Sequence, residues 1–178
     1  TLNGTVASSI GGTVTGSGTI IVNNGSQVTT WAPTTSSGHS GTFTVTAGTL
    51  KMAPVLSTQA IANAGKVIYN TTSTLGSGAV TGAGAVDYGD SNTVTTLSGT
   101  FPASTGLQTI LGGGGLTLAA AGTLPNITNS ATGTLALGAN NLTLNGTAAS
   151  SIGGTVTGSG TLIVNNASQV TTWAPTTS

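Results

Sequence analysis

The chain has 178 residues, of which 2% are charged: Lys51, Lys66, Asp87 and Asp90, with His39 the single histidine. A formal net charge of zero leaves no basic patch for phosphate backbones or anionic lipid, so nucleic acid is excluded as a partner. Cysteine is absent, which removes disulfides and thiolate metal sites, and no run of about 18 apolar residues marks a membrane span, so no membrane insertion is expected in this segment.

Low charge with abundant Gly, Ser and Thr is not a signature of disorder here, because disordered chains combine low hydrophobicity with high net charge. This chain has neither: 37% of its residues are hydrophobic. A surface of Thr, Ser and Asn keeps it wettable but supplies no charge repulsion, so lateral bundling with like molecules is unopposed.

Strand signals run along the whole chain as short β-branched or alternating segments between Gly, Asn and Ser. Within Gly18 to Asn23 the period of two turns Ile20 and Val22 inward. Thr42 to Thr46 is the cleanest case, with Phe43 and Val45 on one face and three threonines on the other. Leu50 and Met52 follow after Gly48. Ser57 to Ala64 could form about two helical turns, but its flanks read as strand or loop. Val86 with Tyr88, Leu116 with Leu118, Leu135 with Leu137, and Leu142 with Leu144 complete the inward series. Most of these strands open on a glycine tripeptide, at Gly12, Gly18, Gly41, Gly48, Gly84, Gly99, Gly122 and Gly133, which is read as a positive-φ corner.

Thr1 to Ser36 (TLNGTVASSIGGTVTGSGTIIVNNGSQVTTWAPTTS) recurs without a gap as Thr143 to Ser178, an offset of 142 residues. Three positions differ: Val6/Ala148, Ile20/Leu162 and Gly25/Ala167. Residues 1–142 are therefore one full repeat, 143–178 the start of the next, and 1–178 one continuous segment. Neither end reads as a capping unit, which implies a piece of a longer array or subunits that stack end to end.

Many short strands with glycine corners suit a β-sandwich or a β-solenoid. Three features favour the solenoid. The period exceeds the roughly 100 residues of an immunoglobulin-type sandwich. Asn-Gly hairpin signals are few, and Thr, Asn and Val stack well in parallel ladders.

Gly16-Ser17-Gly18-Thr19-Ile20-Ile21-Val22-Asn23-Asn24-Gly25, followed by Ser40-Gly41-Thr42-Phe43-Thr44-Val45-Thr46-Ala47-Gly48-Thr49-Leu50, resembles the passenger repeats of bacterial autotransporters and filamentous-haemagglutinin-like surface proteins. Leu135 to Gly146 (LALGANNLTLNG) is similar to another recurrent piece of those passengers. The resemblance implies an all-β, right-handed parallel β-solenoid (β-helix) with irregular coils of about 18–24 residues, exported to the cell surface for adhesion or matrix formation. At that size a 142-residue period makes about six to eight coils and advances about 30–40 Å. The family's catalytic residues have nothing to map onto. The near absence of charge and the near-identical long repeat depart from typical members and favour a filament-forming one.

Candidate sites are few. His39, in Ser36-Ser37-Gly38-His39-Ser40-Gly41, has serines beside it but no nearby carboxylate to orient a base and no recognisable nucleophile turn, so it reads as an exposed loop histidine. Asp87 and Asp90 are the only acidic pair. Calcium needs six to eight oxygens, and the expected role is a turn in which Asp and Asn bond their own backbone. Four scattered charges do not make the acid–base cluster of a glycan lyase. No catalytic, metal or cofactor site is expected, and the chain reads as a non-enzyme.

Trp31 and Trp173 are copies of one position in Gln-Val-Thr-Thr-Trp-Ala-Pro. If exposed, they offer large apolar area with an N–H donor for stacking on glycans or for lateral contact with a neighbouring solenoid; packing against their own coil is the equal alternative. Asn-X-Ser/Thr sequons at Asn3, Asn24, Asn70, Asn126, Asn141, Asn145 and Asn166 are assigned to turns and asparagine ladders.

The expected function is a structural extracellular filament or cell-surface fibre for scaffold, biofilm matrix or adhesion, self-associating along its axis and laterally, with surface glycans as further partners. The alternatives are an ice- or surface-binding module built on Thr-X-Thr, as at Thr13-Val14-Thr15 and Thr93-Val94-Thr95, and a β-helical glycan-active enzyme.

Overall fold

The computed structural model describes residues 1–33, 38–53, 59–70, 74–75, 79–89, 93–98, 101–165 and 171–176, with 74–75 as backbone. Among these, all regular structure is β-strand, and every strand pairing is parallel. Parallel strands require long crossovers, and here each crossover is itself a circuit around the molecule. Leu142–Leu144 lies in one sheet, Ser150–Ile152 in a second and Thr155–Gly158 in a third, before Leu162–Val164 returns to the first, directly on Leu142–Leu144. That circuit is one coil of a β-solenoid. Ser57 to Ala64, weighed above for helix, contains the strand Ile61–Asn63; residues 57 and 58 lie outside the described set.

The register is continuous from one end to the other. Ile10, Trp31, Met52, Tyr69, Tyr88, Ile110, Asn129, Ile152 and Trp173 pair in succession, each directly against the next. Successive members stand 17 to 23 residues apart, against the 18–24 expected. Ile10 and Ile152, equivalent residues of the two copies, are seven steps apart, so one 142-residue period is seven coils. At the spacing of paired strands this is an advance of about 34 Å.

The two copies of the repeat fold alike. Leu2 pairs Val22 as Leu144 pairs Val164, and Ile10 pairs Trp31 as Ile152 pairs Trp173. Ile20–Trp31 is a single twelve-residue strand that covers two faces, paired to the ten-residue Phe43–Met52 with register shifts between Val22 and Val28.

The interior is the set of inward residues expected from the period of two: Val22, Phe43, Val45, Leu50, Met52, Val86, Tyr88, Leu116, Leu118, Leu135, Leu137, Leu142 and Leu144 are all buried. Each contributes roughly 1.5–3 kcal/mol when fully buried. Their outward alternates, such as Thr44, Thr46 and Thr117, are half-buried or exposed.

The glycines correct the corner reading. Gly12 and Gly48 have φ of 72° and 82°, but Gly18, Gly41, Gly84, Gly122 and Gly133 are not in the positive-φ region; Gly99 lies outside the described residues. Most of the latter are glycine because the neighbouring coil leaves no room. A Cβ on Gly41 would lie 1.9 Å from the Gly18 carbonyl oxygen, and one on Gly122 would lie 2.3 Å from the Phe101 ring. Gly48, Gly65, Gly84 and Gly106 form a corner column: a Cβ on each of the last three would lie 2.4 Å from the carbonyl oxygen of the glycine before it.

That column is testable. Gly106→Ala is expected to destabilise the chain by roughly 1–3 kcal/mol, the usual cost of forcing a methyl into packed structure. Gly18→Ala, where a Cβ meets nothing within 4 Å, should change stability by less than about 0.5 kcal/mol. Urea midpoints of the two variants check the contrast, and equal midpoints contradict it.

Candidate functional site

The tryptophans sit in one column but in different surroundings. Trp31 is 1% exposed and Trp173 is 52% exposed. Trp31 is flanked on one side by Ile10 and on the other by Met52, and its ring meets Phe43 edge-on with centroids 5.1 Å apart. Of the two roles weighed for it, exposed lateral or glycan contact and packing against its own coil, Trp31 takes the second and packs into the solenoid interior. Trp173 pairs Ile152 on one side in the same register, and its other side is uncovered. It lines an open hollow of about 620 Å³ with Gly160, Thr161, Leu162, Val164 and Thr171. This hollow lies on the end of the solenoid rather than its flank, because Leu162–Val164 and Thr171–Trp173 are the terminal strands of their sheets. Val164, at 47% exposed, repeats the contrast with its equivalent Val22, which is fully buried.

His39 also corrects its expectation. It is 4% exposed, not a solvated loop residue. Its ring stands 5.4 Å from Phe43 and 6.0 Å from Trp31, completing an aromatic trio under the corner that follows the long strand. The Gln59 amide donates to the His39 carbonyl, which ties that corner to the next coil.

Asp87 lies in the strand Ala85–Tyr88 and not in a turn, and Asp90 lies outside the described residues. Asp87 is buried, and Lys66 donates to its Oδ2 at 2.6 Å. The two are 21 residues apart, one coil, so this ion pair has no signal in the sequence until the register is known. With its carboxylate engaged by an ammonium, Asp87 is not presented to a cation.

A buried polar column continues from it. Tyr69 and Tyr88 stack with centroids 6.2 Å apart, and the Tyr88 hydroxyl donates to Gln108 Oε1. Gln108 Nε2 donates in turn to the Ser104 and Pro102 carbonyls at 3.2 and 3.3 Å. Its own N–H reaches Asn126 Oδ1 at 2.9 Å, and Asn126 Nδ2 donates to the Gly106 carbonyl at 3.0 Å. Other asparagines span coils in the same way: Asn63 to the Ala85 carbonyl, Asn129 to that of Gly153, and Asn165 to Asn145. The sequon at Asn145 thus belongs to an asparagine ladder as expected, whereas Asn126 bonds the backbone of Gln108 and Gly106.

The outward column beside the aromatic stack reads Ser9, Thr30, Lys51, Ile68, Asp87, Thr109, Thr128, Ser151, Thr172. Threonine and serine dominate it, but three consecutive places in the middle carry an ammonium, an apolar chain and a carboxylate.

Two tests follow from these contacts. Burial raises the hydroxyl pKa of Tyr69 and Tyr88 above the ordinary phenol value of 10.0, and at Tyr88 the Coulombic effects of the Tyr69 phenol and of Asp87 add to it. A raised folded-state pKa means stability that is complete below the phenol's unfolded pKa and lost as pH rises through the folded one. Denaturation midpoints should fall above about pH 10, and Tyr69→Phe with Tyr88→Phe should flatten that alkaline slope. For the ion pair, Lys66→Met leaves a buried carboxylate unpaired, whereas Asp87→Asn leaves a half-exposed ammonium that water can solvate. Lys66→Met should therefore be the more destabilising by about 1 kcal/mol or more, read from urea midpoints.

No family model, no curated protein and no solved structure matches the chain.

Proposed function

We propose that this chain is a segment of an extracellular or bacterial cell-surface filament, serving as scaffold, biofilm matrix or adhesive fibre, of the kind that autotransporter and filamentous-haemagglutinin-like passengers form. The observation that carries the reading is the shared register of the two copies. The second copy begins on the eighth coil and makes the same pairs to the coil that follows it as the first copy does, so the pattern of one period can repeat along the axis. The repeat carries the chain along the axis in register, which a fibre uses and a compact catalyst does not.

The chemistry of the surface supports the same reading. Of the four charged side chains and the one histidine, Asp87 is neutralised in an ion pair and His39 is buried. What remains outside is mainly hydroxyl and amide, which lets like solenoids approach side by side without electrostatic cost. The aromatic groups that sugar stacking would use are largely interior, which favours self-association over glycan binding. An ice-binding role is disfavoured by Lys51, Ile68 and Asp87, which interrupt the outward threonine column at its centre.

Oriented samples of the assembled protein should diffract at about 4.7–4.8 Å along the fibre axis, the spacing of parallel coils. A reflection of that spacing found only across the axis, or none at all, retires the filament reading.

A further inference from the structure

We infer that Asn145-Gly146, on the outer flank of the solenoid, is a site of spontaneous covalent modification, at which the asparagine amide is lost as ammonia and a carboxylate takes its place. The site stands on the geometry around that dipeptide; only its consequence for bundling rests on the filament reading.

Asparagine followed by glycine is the dipeptide in which this chemistry is fastest, because no side chain hinders approach of the following backbone nitrogen to the amide carbon. The chain has three such pairs, Asn3-Gly4, Asn24-Gly25 and Asn145-Gly146. The fold treats them differently. Asn24 is 1% exposed, lies inside the paired strand Ile20–Trp31, and donates from Nδ2 to Thr29 Oγ1. Asn145 is exposed and stands just beyond the strand Leu142–Leu144, where Gly146 begins a bend. With Ala103, Thr105, Thr123 and Pro125 it lines a shallow hollow of about 330 Å³ on the flank.

Two neighbours fit this site to the reaction. A Cβ on Gly146 would lie 2.1 Å from the Pro125 carbonyl oxygen, so the packing of adjacent coils keeps that residue glycine. From the coil on the other side, Asn165 Nδ2 donates to Asn145 Oδ1 at 3.4 Å. That oxygen gathers negative charge in the tetrahedral intermediate, and a donor aimed at it lowers the barrier. Asn3 faces Asn23 in the same register, so the arrangement recurs once per 142-residue repeat.

The Gly146 nitrogen attacks the Asn145 Cγ and gives its proton to solvent; the Cγ–Nδ2 bond breaks, ammonia leaves, and a succinimide ring closes. Water then opens the ring at either carbonyl, leaving aspartate or isoaspartate, and a carboxylate in both cases. None of the residues lining the hollow is charged. The new carboxylate therefore adds repulsion between flanks that otherwise approach without electrostatic cost.

The folded 178-residue chain, held at mildly alkaline pH, digested and analysed by mass spectrometry, reports the conversion of each asparagine to the acid. Asn145 should convert at least about tenfold faster than Asn24, which reacts only through local opening of its strand. In urea the two rates should converge, since both are then Asn-Gly in an open chain. Asn165→Ala should slow Asn145 at least about twofold, the loss of one exposed hydrogen bond, with the Asn24 rate in the same sample reporting that the fold is kept. Equal rates in the folded chain, or an Asn145 rate that climbs more than about tenfold on unfolding, overturn the site; an unchanged rate in Asn165→Ala overturns the part given to Asn165. These rates are read on the dispersed chain and stand apart from the axial reflection that decides the filament reading.

Discussion

Every feature of this molecule depends on one constraint: a strand residue in a parallel solenoid must be compatible with the residues directly above and below it. In a globular core a side chain can choose neighbours from several elements. Here its neighbours are fixed by position, one coil away in each direction. The column from Ile10 to Trp173 shows how the constraint is met. Large side chains stack on large ones, Trp31 on Met52 and Tyr69 on Tyr88, and the one amide in the column, Asn129, donates to the Gly153 carbonyl. Glycine obeys the same rule at the corners, where Gly48, Gly65, Gly84 and Gly106 allow the backbone of one coil to rest on that of the next.

The rule also explains the near absence of charge. Like charges at equivalent places on adjacent coils would stand about 4.8 Å apart along a ladder, a destabilising arrangement. Lys66 and Asp87 avoid it by pairing with each other across one coil, offset by two places in register, since Lys66 sits directly opposite Ala85. Hydroxyl and amide side chains are the polar groups that tolerate stacking on their own kind, because each can donate and accept in the same direction along the axis. Asn165 on Asn145, and Thr19 beside Thr42, are examples.

Much of the fold is legible in the sequence, and the limit of legibility has a physical form. Alternation along a strand is local, so the inward sets around Phe43, Leu50, Val86, Leu116 and Leu135 can be read residue by residue. Register between coils is not local, and the misreadings of His39, Asp87 and Gly84 come from it. His39 has polar neighbours in sequence, yet its ring is buried against Trp31 and Phe43. Asp87 looks like a turn residue beside Gly89 and Asp90 until Lys66 is placed one coil below. Gly84 reads as a corner requiring unusual φ, whereas the reason for it is the Gly65 carbonyl.

Register also changes how burial is to be understood in this chain. Trp31 and Trp173 share sequence context and register, and they differ only in whether a further coil covers them. Burial is thus a property of the neighbour pair and not of the residue, as expected where stability is a sum of intrinsic and nearest-neighbour contributions. The three differences between the copies respect this. Val6 is exposed, Ile20 is only partly buried, and Gly25 is exposed at a positive-φ bend, whereas the Ile10, Val22 and Trp31 equivalents, the residues each coil uses to hold the next, are unchanged. Identity is kept where two coils meet, so the coil interface rather than the individual coil is the repeating structural unit.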